Sequence, residues 1–159
     1  MSLRDQMLSF MVGMTAGGMF SHATLPVAGA SAYRAAVQGY QKGGLGNAIR
    51  MAFDASRGSI KASYDMSRWV TEQAGTMGSP IMANVGYGFG LAAPVLSMYG
   101  VYGGTLRLLR GRYLTGGLML GLGALGLSMS TYHGIKMMNN IAPLYQQYLQ
   151  QQQQQGANP

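Results

Sequence analysis

The 159-residue chain carries 11 Lys and Arg against 4 Asp and Glu, a formal net charge of +7. Charged residues make up 9% of it, where a soluble domain usually carries about 25%. With no cysteine, the chain excludes disulfides, thiolate metal sites and a cysteine nucleophile.

The length suits one domain rather than two. Glycine is unusually frequent, at 25 residues, and methionine is abundant, at 14. The basic residues are spread thinly, without the dense patch and interleaved aromatics of a nucleic-acid footprint, so no nucleic-acid partner is expected. The N-terminus MSLRDQMLSF is weakly basic, so no cleaved secretory signal is expected.

Charges punctuate the sequence. None occurs from Gln6 to Tyr33, apart from the titratable His22. A span of about 7–33 is predicted there, interrupted by Pro26.

The next segment, 47–74, holds Arg50, Asp54, Arg57, Lys61, Asp65, Arg68 and Glu72. At about 100° per residue these seven fall within an arc of roughly 80°, which only a helix explains. The rest of its circumference is mostly apolar or small. Opposite charges recur at i,i+4 in Arg50–Asp54, Lys61–Asp65 and Arg68–Glu72, each worth a few tenths of a kcal/mol. Several charges facing lipid at about 2.5–3.5 kcal/mol each would outweigh the apolar positions. The helix is therefore expected at the membrane interface with its stripe toward water. The alternative is a crossing with the stripe against protein or a wet cavity.

Two further spans are predicted at about 81–106, through Pro94, and at 113–135. Between them lie Arg107, Arg110 and Arg112, a short basic loop that makes the two spans an antiparallel hairpin. By the positive-inside rule the loop faces the cytoplasm, or the matrix of an organelle. The tail 146–159 is glutamine-rich low complexity. The expected fold is thus all-α. It comprises one helical membrane domain over 1–145 with three spans, four if the charged helix crosses, followed by the tail.

GxxxG spacings occur at Gly13/Gly17, Gly86/Gly90, Gly100/Gly104 and Gly117/Gly121. In lipid no hydrophobic drive joins helices, so small residues one turn apart mark faces of close backbone approach. The Gly86, Gly88, Gly90 run resembles the glycine ladder of rotary-ATPase ring subunits, but span 113–135 lacks the ion-carrying carboxylate. His22 and His133 each stand alone, without a ligand partner at metal spacing, and are expected as packed or interfacial residues. Three of the four acids already sit in the charged stripe beside basic partners, and no Ser–His–Asp or Walker pattern is present. No catalytic site, metal or cofactor is expected.

Arg50 and Asp54 match the Arg–x–x–x–Asp fragment of the Tim17/Tim22/Tim23-type family. The layout resembles that family too: short, glycine-rich, basic chains with four membrane helices. The family also includes an accessory subunit of respiratory complex I. The upstream aromatic is displaced to Tyr40, the downstream glycine pair is absent, and Lys61 stands where a small residue belongs. That resemblance implies a translocase or channel component. The residues themselves lead first to a non-enzymatic accessory subunit of a large membrane complex. A respiratory complex or ATP synthase of the mitochondrial inner membrane is the expected setting. Its partners would be other membrane subunits and anionic lipids such as cardiolipin. A small membrane protein carrying a cofactor is the remaining reading.

Overall fold

A computed structural model describes residues 2–156 and is helical almost throughout. Three helices follow in order: α1 Leu3–Met77, α2 Pro80–Leu109 and α3 Tyr113–Gly156. Two of them, α2 and the Tyr113–Gln155 stretch of α3, are long and apolar enough to cross a membrane. Helix α1 is bent into two arms, 3–42 and 45–77, at Gly43 and Gly44. Gly44 has φ +72°, a left-handed conformation that glycine adopts without steric cost. The break turns the chain back on itself, and a Cβ on Gly39 would lie 2.8 Å from the Ala48 Cα.

Ser2 and Asp5 form a capping box that satisfies the first amides of α1. The Ser2 hydroxyl and amide beside Asp5 hold its carboxyl below the ordinary value. Helix α2 starts on Ser79 with Pro80 in its first turn, where the missing amide hydrogen costs nothing. It continues through Pro94. Gly111, with φ +74°, closes the turn to α3.

The cross-chain contacts set the topology. Ser9 meets Ala74, so the two arms are antiparallel. Gly13 lies against Ala83 and Gly17 against Tyr87, so the first arm and α2 are parallel. Gly104 lies against Gly116 and Gly100 against Gly123, so α2 and α3 are antiparallel. The result is an up-down-up-down arrangement of four helical limbs. The charged 47–74 segment is the second limb, packed lengthwise through buried Ser63, Met66, Ser67 and Thr71. Pro143 does not end α3, and Tyr145, Tyr148 and Leu149 are half-buried. No break separates 1–145 from the glutamine tract, which continues the helix to Gly156, with Tyr148 packed on Trp69 at the start of the tract. Positions 157–159 of the expected tail lie outside the described residues.

The core is small-residue rich. Met19, Ala23, Met66 and Met138 form its apolar centre, with Val27, Ile135 and Ile141 against it. Ser9 is fully buried at the end where three limbs meet. Its hydroxyl lies 2.8 Å from the Ala74 carbonyl and 3.0 Å from that of Asp5, and accepts from the Ser79 amide at 2.9 Å. Ser9→Ala strips all three contacts and leaves a backbone amide unpaired. Thermal or denaturant unfolding in detergent should show a loss of about 1–3 kcal/mol.

Candidate functional site

Two surfaces concentrate the residues singled out by the sequence. They are the glycine faces and the charged stripe.

Gly13 and Gly17 pack against α2, and Gly86 and Gly90 pack against the first arm. The relation is reciprocal. A Cβ on Gly13 would strike the Ala83 carbonyl, and one on Gly86 would strike the Phe10 carbonyl. Gly17 and Gly90 repeat this one turn on, against the Tyr87 and Met14 carbonyls. Both strips are thus spent on one helix–helix contact, with backbone on backbone. Ser21 adds a hydrogen bond to the Gly90 carbonyl at 3.2 Å.

The second contact joins α2 to α3. Gly100 and Gly104 supply the α2 side. The α3 side is not the Gly117/Gly121 pair, for nothing lies within 4 Å of a Cβ placed on either. Gly116 and Gly123 face α2 instead, with Cβ positions 2.7 Å from the Leu108 amide nitrogen and 2.6 Å from that of Val101. Gly117 is rotated by one residue, about 100°, out of this contact. The seven-residue spacing of Gly116 and Gly123 was the signal in the sequence, since i and i+7 share a helix face as i and i+4 do.

The charged residues occupy the outer side of the second arm. Arg50 and Asp54 are exposed and approach to 4.0 Å, and Lys61 meets Asp65 at 2.5 Å. Arg57 and Glu72 are exposed as well. The third i,i+4 pair does not form. Arg68 turns from Glu72 to α2, where it donates to Asn84 Oδ1 at 2.9 Å and lies 5.7 Å from the Tyr87 ring centroid. A polar carbonyl and an aromatic face on the adjacent helix compete successfully with an exposed carboxylate whose attraction is screened. Tyr87 in turn is buried with its hydroxyl 3.2 Å from that of Ser67. Arg57, Ile60 and Lys61 border a groove of about 570 Å³ floored by Phe20, Phe53 and Tyr64. Arg107, Arg110 and Arg112 are all exposed around the α2–α3 turn. The two histidines, apart in sequence, line one cavity.

Among the described residues no three His, Asp or Glu side chains gather as a metal cluster. Comparison with known proteins finds no matching family model, no similar curated protein and no similar solved structure.

The glycine geometry makes a sharp contrast. Gly13→Leu and Gly86→Leu force side-chain volume into backbone and should lower stability by about 3 kcal/mol or more, beyond ordinary overpacking. Gly117→Leu should leave unfolding of the isolated chain within about 0.5 kcal/mol. Parallel denaturation of the three variants in one detergent checks this.

Proposed function

We propose that this chain is a non-catalytic subunit of a larger membrane assembly, acting through helix packing. The observation that carries the reading is the outer face of α3. Leu118, Leu122 and Leu125 are 59%, 70% and 60% exposed, and Gly117 and Gly121 open between them onto free space. Lipid is enough to cover leucines. A glycine pair one turn apart is more useful to another helix, which it admits to close backbone approach. Other membrane subunits are therefore the partners we infer, with anionic lipids at the basic positions. A respiratory complex or ATP synthase of the mitochondrial inner membrane is the setting we infer, from the basic balance and the family-like layout.

The test exploits the outward position of the pair. Gly117→Leu and Gly121→Leu should fold and insert like the parent, yet fail to co-purify with partner subunits from solubilised membranes. Mass spectrometry of the purified assembly reads the loss. Unchanged partner recovery in both variants would overturn the reading.

A second reading, a translocase or channel component with four crossings, is favoured by the lengthwise packing of the charged arm. A limb antiparallel to the first arm and joined to α2 through Ser67–Tyr87 and Arg68–Asn84 is poorly placed to lie flat at an interface. Its outward stripe would then need protein, head groups or a wet cavity beside it. The absence of native cysteine makes labelling clean. With four crossings, single cysteines at Lys42 and Arg112 should react from one side of the membrane and one at Thr76 from the other. Same-side labelling of Lys42→Cys and Thr76→Cys would restore the interfacial arm.

A further inference from the structure

We propose that the cavity between the first arm, α2 and α3 is a binding site for a soft monovalent metal ion, Cu(I). The cavity measures about 280 Å³, and both histidines line it together with Met14, Met19 and Met137.

The argument starts from the His22 ring, which is 6% exposed. Its Nδ1 lies 3.0 Å from the Gly18 carbonyl oxygen. A carbonyl only accepts, so Nδ1 carries a proton, and in the neutral tautomer Nε2 presents a bare lone pair. That Nε2 is buried and has no hydrogen-bond partner. An unpaired buried acceptor is costly and calls for an occupant that accepts electron density. Metal-bound histidines are held in this way, with the other ring nitrogen donating to a carbonyl that fixes tautomer and orientation.

The neighbouring donors decide which metal. The thioethers of Met14, Met19 and Met137 are soft, and the His133 imidazole is borderline. The residues lining the cavity include no carboxylate, and the chain has no thiolate. Around the buried His22 and Met19, a donor set without a carboxylate leaves the charge of the ion uncompensated, which penalises a divalent ion more than a monovalent one. Soft donors and low charge together select Cu(I) over Zn(II). His22 Nε2 is the first ligand, with His133 and methionine sulfur completing the set.

Anaerobic titration of the detergent-solubilised protein with Cu(I), against the chromophoric chelator bicinchoninate, tests the site. One equivalent should be withheld from the chelator, with copper–nitrogen and copper–sulfur scattering in the X-ray absorption spectrum. His22→Gln and the exposed His133→Ala should each weaken retention at least tenfold, while Zn(II) fails to displace the copper. His133→Ala keeps the test open should the buried substitution disturb folding. No retained copper in the parent would overturn the proposal. Equal retention in both histidine variants would do so too, marking adventitious binding to surface methionines.

Discussion

The structure depends on backbone-to-backbone contact between the first arm and α2. Gly13 and Gly17 on one side, and Gly86 and Gly90 on the other, bring main-chain atoms to distances that no side chain permits. Everything nearby follows from that approach. It brings Ser21 within reach of the Gly90 carbonyl and holds the base of the bundle where Ser9 ties two arms and α2 together. It also puts the first arm beside α2 in parallel, which requires the intervening arm to run the other way. Little hydrophobic free energy is available from such small residues. Dispersion between closely packed atoms, and buried hydrogen bonds such as those of Ser9, must do more of the holding.

The same economy explains the surface. Where glycine and serine fill the interior, the large apolar side chains point outward. Leu25, Phe53, Leu96, Tyr99 and Leu122 are all more than 60% exposed. An ordinary soluble domain shows exposed apolar residues singly rather than in continuous bands. Leu96, Tyr99 and Leu122 lie on the two helices that are long and apolar enough to cross a membrane.

The charged arm and the basic turn place the exceptions. Arg107, Arg110 and Arg112 gather at the closed end of the α2–α3 hairpin, where charge stays outside the apolar stretches. On the second arm Ser63, Met66, Ser67, Thr71 and Ala74 turn inward, and the stripe lies outside, beside the groove lined by Phe20, Phe53 and Tyr64. Arg68 is the exception that binds the arm to α2 rather than to its own helix neighbour.

Much of the local architecture was legible from residues alone. Two of the three charge-free stretches fell on helices apolar enough to cross a membrane, the third, 7–33, did not, the seven charges marked a helix by their angular phase, and the basic triplet marked the turn of a hairpin. Short-range rules suffice for these, because helix period and apolar length act within one segment. The glycine spacings pointed to close approach, yet they could not say which neighbour fills each face. Gly116 rather than Gly117 meets α2 because the relative rotation of two helices is set by the whole contact, from Gly100 to Leu108. The choice of Asn84 and Tyr87 by Arg68, and the meeting of His22 with His133 around one cavity, likewise join positions on different helices. The packing of Trp69 against Tyr145 and Tyr148, some 80 residues later, joins the second arm to the end of α3 in the same way. The sequence by itself marked the charge-striped helix, the two most apolar helices and the turn between them, since each is a property of neighbouring residues. Tertiary structure alone decided which faces meet and which remain open, because that depends on packing among segments remote along the chain.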